Sequence, residues 1–284
     1  MVRALNSKSP YLPELSRIRA RYLVLCVALI VVAPLILTGF VSSTYRMDRA
    51  FAWTLEQATF AVVYLILGAY LFWRASVSDL VQRICAELGY GVLHVLRYLI
   101  LGFPLICIGY AGIYILYLPL SYAAPEFVEE VLLAVPTLFL WQLDSAAVAG
   151  NAIAVFTLLV FAPIVEEVLF RGFLLARWQA KYGTKRAILF SSVLFGLLHF
   201  DPIGALLFSV VLSLMALRTG SLLGPIIAHA ANNLFVVGFV LIESGVSGTT
   251  VTYSLAEFQN EWWIAVICGA IGIPWLLVYA RRIT

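Results

Sequence analysis

Two adjacent carboxylates, Glu166 and Glu167, stand inside a long apolar stretch, with Arg171 four residues beyond the second. Phe195 and His199 repeat the four-residue spacing, and so do His229 and Asn233. A charge held at mid-bilayer costs from about 3 to more than 10 kcal/mol, depending on the reference state, so such residues turn toward a bundle interior or a wet cavity. Their types suit hydrolysis: a carboxylate to take a proton from water, imidazoles to assist, and an amide to hold the oxyanion.

The spacings say more. Adjacent helical residues point about 100° apart, so Glu166 and Glu167 cannot share a face. Glu167 and Arg171 stand i,i+4 with the acid first, the favourable order for an ion pair. That leaves Glu166 to face a cavity, where desolvation and a neighbouring carboxylate would tune it for general-base work. Pro163 removes a hydrogen bond to the Leu159 carbonyl and should bend the helix beside the acids. His199 falls on the face of Phe195, as Asn233 does on that of His229. Tyr182-Gly183-Thr184 is the best turn midway between Glu166 and His199. An antiparallel hairpin about it would set those two residues at one depth. Asn232 points elsewhere and is assigned no role. His94, beside Arg97 near a span boundary, reads as non-catalytic. The same polar residues also admit a plain structural reading as an ion pair and interhelical glue.

The elements that must position these groups are membrane helices. The chain has 284 residues, 63% hydrophobic and 12% charged, with a mean hydropathy of +1.00. Soluble chains carry about 25% charge. Strand alternation is missing, so the expected fold is all-α: a polytopic membrane helix bundle of about eight transmembrane helices. Candidate spans are about 22–41, 57–73, 97–121, 147–170 (continuing to 178), 186–200, 203–217, 222–242 and 262–280. Residues 74–90 read as an interfacial amphipathic piece, and 128–141 as an interfacial or re-entrant helix. Segments 186–200 and 203–217 each reach only about 22 Å, short of a ~30 Å hydrocarbon core, so Asp201-Pro202 should turn below the surface and leave a recess.

With the N-terminus inside, only Arg46 and Arg49 of the 18 basic residues fall outside. Both termini are therefore expected to be cytoplasmic. Trp53, Trp73, Trp178, Trp262 and Trp263 lie near predicted span ends, as interfacial anchors do. The chain reads as one integral membrane domain over residues 1–284, with 1–21 a cytoplasmic N-terminal segment, 22–41 a retained first span, and no soluble module. The net charge of +3 gives no sign of nucleic-acid binding. Cys26, Cys85, Cys107 and Cys268 lack a CxxC pair and read as small buried hydrophobes.

In this order the motifs EEVLFR (Glu166 to Arg171), FGLLH (Phe195 to His199) and HAANN (His229 to Asn233) resemble the CAAX-protease and bacteriocin-processing family of intramembrane proteases (CPBP, or Abi). Its pattern runs EExxxR, FxxxH, HxxxN or HxxxB. The resemblance covers about residues 145–242. It implies an eight-helix protease cleaving a membrane-associated protein or peptide near its C-terminus or leader. It implies that Glu166 activates water, assisted by His199 or His229, that Asn233 with a histidine stabilises the oxyanion, and that Glu167 and Arg171 position the helix beside Phe195. No cofactor is favoured. A zinc-dependent version, with Glu166, His199 and His229 as ligands, is the alternative. A non-catalytic immunity or binding protein, or a transporter, would be the readings from other classes; the expected home is the plasma (inner) membrane in the bacterial case.

Overall fold

The computed structural model describes residues 48–74, 92–133, 139–141, 145–247 and 253–281, with scattered positions between 22 and 84. Among the described residues every regular element is helical. In chain order they are α1 (Arg49–Arg74), α2 (Val92–Ala123), the short α3 (Pro125–Val128, running on into Glu129–Leu133), α4 (Ser145–Tyr182), α5 (Thr184–Gly196), α6 (Pro202–Thr219), α7 (Leu223–Ser247), α8 (Leu255–Asn260) and α9 (Trp262–Arg281). Six of them are long and apolar enough to cross a membrane: α1, α2, α4, α6, α7 and α9.

Six of the eight expected segments coincide with these six helices, and a seventh, 186–200, falls on the shorter α5. The eighth, 22–41, lies mostly outside the described residues, as do 1–21, the 74–90 piece and the side chain of His94. The 186–200 segment is corrected. Its helix, α5, has 13 residues and stops at Gly196, so it spans only about 20 Å. Of the 128–141 stretch, the described part continues α3 to Leu133 as a wider π-helical turn. Trp73, Trp262 and Trp263 are exposed as anchors should be, but Trp53 is not. It is buried and donates from Nε1 to Asn151 Oδ1 at 3.0 Å, tying α1 to α4. Cys107 and Cys268 are free thiols, while Cys26 and Cys85 lie outside the described residues.

α2 is apolar along its length, and its small residues make it the hub. A methyl on Gly102 would meet Ala231 of α7 at 2.8 Å, and one on Gly112 would meet the Gly204 Cα of α6 at 2.6 Å. These contacts fix the depth of the α5–α6 turn. Tyr117, six residues before the end of α2, donates its hydroxyl to the Phe200 carbonyl at 2.7 Å. Gly112 lies five residues deeper. Residues 197–204 therefore sit about 9–16 Å below the end of α2, the depth expected of a turn between short helices. Asp201 caps α6 there by accepting from the Gly204 amide at 2.9 Å.

α4 carries the acids and is not a uniform α-helix. Two π-helical stretches, Thr157–Phe161 and Val168–Leu174, interrupt it. Pro163 accounts for the first. The Ala162 amide donates to Thr157 rather than to Leu158. The other partner available to the Leu158 carbonyl would be the amide of residue 163, and proline has none. The orphaned carbonyl is thus that of Leu158, where α-helical counting expects Leu159; the helix widens instead of breaking.

Candidate active site

Gly183, at φ +82°, makes the expected turn and folds α5 back against α4. A left-handed backbone at that point favours glycine. The fold-back brings Phe195 over the acids. Phe195 is buried, stands edge-on to Phe170 at 4.9 Å between centroids, and covers the Arg171 guanidinium at 4.7 Å.

Glu167 and Arg171 form the ion pair that their spacing required, Nη1 to Oε1 at 2.9 Å, and both are wholly buried. Arg171 Nη2 donates to Ser209 Oγ at 2.9 Å and to the Ser209 carbonyl at 3.2 Å on α6. The same Glu167 oxygen meets His229 Nδ1 of α7 at 2.9 Å. A carboxylate only accepts, so that ring nitrogen carries a proton. Nε2 lies 3.9 Å from Glu166 Oε2. The two acids do point different ways, yet they reach opposite sides of one imidazole. Phe208 closes the third side of that ring, edge-on at 5.1 Å.

Glu166 is 8% exposed. Its Oε1 accepts the Tyr64 hydroxyl of α1 at 2.5 Å, and its Oε2 is buried with no hydrogen-bond partner among the described residues.

His199 lies beyond the end of α5, in a tight turn closed by Leu198 N–H to Phe195 O and His199 N–H to Gly196 O. It still stacks on Phe195, 4.4 Å between centroids, as its spacing indicated, although not as part of a regular helix. Its Nδ1 donates to the Phe195 carbonyl at 2.7 Å, which leaves Nε2 as the open nitrogen. The residue as a whole is exposed.

Asn233 sits one turn after His229 and donates from Nδ2 to the Leu158 carbonyl at 2.8 Å. It thereby serves the carbonyl that Pro163 orphans. One amide hydrogen is used this way and the second remains. Asn232 faces Asn233 Oδ1 at 3.4 Å.

Of the seven residues read from sequence, Glu166, Glu167, Arg171, Phe195 and His229 are linked by direct contacts, His199 stacks on Phe195, and Asn233 lies one turn beyond His229 on α7. Tyr64 and Ser209 were missed, since each is an ordinary residue on its own helix and matters only through a contact between helices. As for zinc, no three His, Cys, Asp or Glu side chains among the described residues are grouped to hold a metal ion.

Comparison with known proteins finds a similarity that is confined to part of the chain. Residues 148–235 match the Rce1-like family, described as type II CAAX prenyl endopeptidase Rce1-like. All three motifs fall within the matched stretch, and the match agrees with the resemblance that they carry. A Bacillus subtilis (strain 168) protein, "Uncharacterized protein YyaK", is 30% identical over 152 residues, 48% of this chain. The chain spans 46% of the length of that relative, about half. No solved structure matches. The matched family is one of peptide hydrolases, and six of the helices are long and apolar enough to cross a membrane.

Proposed function

We propose that this chain is an intramembrane endopeptidase that hydrolyses a peptide bond near the C-terminus, or in the leader, of a membrane-associated protein, using water activated by Glu166 and no metal. The observation that carries the reading is Glu166 Oε2: a buried carboxylate oxygen, unpartnered among the described residues, 3.9 Å from His229 Nε2. At that separation one water oxygen would lie about 2.8 Å from both atoms.

The steps follow from those atoms. Glu166 takes a proton from the water as its oxygen attacks the scissile carbonyl. The carbonyl oxygen becomes an oxyanion, and the second amide hydrogen of Asn233 donates to it. A preorganised donor of this kind contributes about 3–4 kcal/mol. The intermediate collapses by breaking the C–N bond, and the leaving amine takes the proton from Glu166. Glu167 holds His229, and Arg171 with Ser209 holds Glu167, so the imidazole keeps one tautomer and one orientation. His199, exposed in the turn between α5 and α6, lies on the side from which a peptide would approach.

In this reading both termini are cytoplasmic, and in a bacterium the chain would sit in the plasma membrane. Prenylated CAAX proteins, bacteriocin leaders and C-terminal sorting tails are the substrate classes at issue. The test compares C-terminal peptides of the membrane proteome between cells carrying the wild-type chain and cells carrying Glu166→Gln. Peptides that appear only with the wild type support the reading and identify the class. Identical peptide sets would overturn it and favour a non-catalytic binding or immunity protein.

A further inference from the structure

The Tyr64 hydroxyl lies 2.5 Å from Glu166 Oε1. Tyr64 belongs to α1, far outside residues 148–235, and no motif contains it. We infer that Tyr64 is a positioning residue for the general base: it occupies one carboxylate oxygen so that the other, Oε2, is the one presented to water. The inference rests on the reading of Glu166 as the base.

The geometry argues as follows. A carboxylate has two equivalent oxygens and can rotate about its last bond. In this site the oxygens are not equivalent. Oε1 accepts a short hydrogen bond from a phenol, while Oε2 has no partner and faces His229 Nε2. Without the phenol the carboxylate could turn either oxygen toward His229, or swing from it altogether. Charge-assisted O–H···O bonds of about 2.5–2.7 Å are among the stronger and more directional hydrogen bonds in proteins. The groups facing Glu166 are otherwise Glu167 and Arg171 on its own helix, His229 on α7 and His199 beyond α5. Glu167 and Arg171 are spent on each other, on His229 and on Ser209. Among the described residues, Tyr64 alone is hydrogen-bonded to the Glu166 side chain.

α1 is also held in register for this task. Trp53 and Thr54 bond to Asn151 and to the Ala146 carbonyl of α4. Deeper, Gly68 faces Val165, where an added methyl would come within 3.2 Å. Tyr64, Leu67, Gly68 and Leu71 are the buried face between α1 and the core. The matched stretch therefore lacks one part of its own base, and α1 supplies it.

A tyrosine serving only as glue between helices would look similar, so the test separates the two. Full-length wild type, Glu166→Gln, Tyr64→Phe and Leu67→Ala are placed in proteoliposomes. Each is given a fluorogenic peptide spanning the junction found by the proteome comparison. Tyr64→Phe keeps the ring and should leave thermal stability and KM within about twofold while kcat falls about 10- to 100-fold. Leu67→Ala, on the same face without the hydroxyl chemistry, should lower thermal stability and leave kcat within about twofold below its transition. A Tyr64→Phe enzyme with wild-type kcat, or one losing only KM, overturns the inference. So does a kcat loss in Leu67→Ala equal to that in Tyr64→Phe. Glu166→Gln reports on the base separately. If it is inactive while Tyr64→Phe is fully active, only the role of Tyr64 fails. If it cleaves normally, or if no wild-type-dependent junction exists, both fail.

Discussion

Replacing Arg171 by methionine isolates what the buried ion pair does. The guanidinium is fully buried, with Nη1 on Glu167, Nη2 on both oxygens of Ser209, and the Phe195 ring 4.7 Å above it. Methionine matches the volume but leaves Glu167 a buried anion whose Oε2 already lacks a partner. Breaking one side of a buried pair costs about 3–5 kcal/mol. At about 2–4 °C per kcal/mol for a chain of this size, Arg171→Met should lower the unfolding midpoint by about 10 °C. Adding Glu167→Gln removes the stranded charge, and the double variant should recover at least half of that loss. Cleavage should not recover with it, because His229 Nδ1 then faces a neutral amide and the imidazole loses the anion that orients it. The assay is thermal unfolding in detergent alongside cleavage in vesicles. A single variant within 1 °C of wild type, or a double variant less stable than the single, would refute the assignment of Arg171 as the partner that makes Glu167 tolerable.

Gly112→Leu should prevent α2 and α6 from meeting, since even a methyl would lie 2.6 Å from the Gly204 Cα; a folded yield close to wild type in detergent chromatography would contradict the packing. Pro163→Ala restores an amide where Leu158 lacks one and should release Asn233, lowering kcat about tenfold or more while stability holds or rises; unchanged kcat would detach Asn233 from the oxyanion. A tight chelator should leave cleavage by purified protein unaltered; loss of activity restored by zinc alone would replace the metal-free mechanism.

The parts of this molecule legible in the sequence were those set by local spacing. Apolar runs placed α1, α2, α4, α6, α7 and α9, and Gly183 marked the hairpin because a left-handed turn has few other solutions. The Glu167–Arg171 pair is a one-turn contact and followed from i,i+4 alone. What stayed hidden depends on register between helices or on a choice of hydrogen-bond ladder. The π-helical stretch before Pro163 is invisible to a pattern that counts every four residues, so the orphaned carbonyl fell one residue from where it was expected. Asn233 finds that carbonyl across 75 positions of chain. Tyr64 meets Glu166 across 102, and Ser209 meets Arg171 across 38. A tyrosine or serine in an apolar span has many unremarkable uses, and only the packed bundle shows which is taken. His229 touching both acids was likewise unreadable, since helical geometry separates Glu166 from Glu167 and only a ring from a third direction can bridge them.

The most direct test of the account is the rate at which purified Glu166→Gln cleaves the junction peptide in vesicles, beside wild type of equal thermal stability. A positioned general base contributes about 10²- to 10⁴-fold, so the amide should reduce kcat by at least a hundredfold while the protein stays folded. Cleavage at the wild-type rate would contradict the claim that Glu166 activates the water.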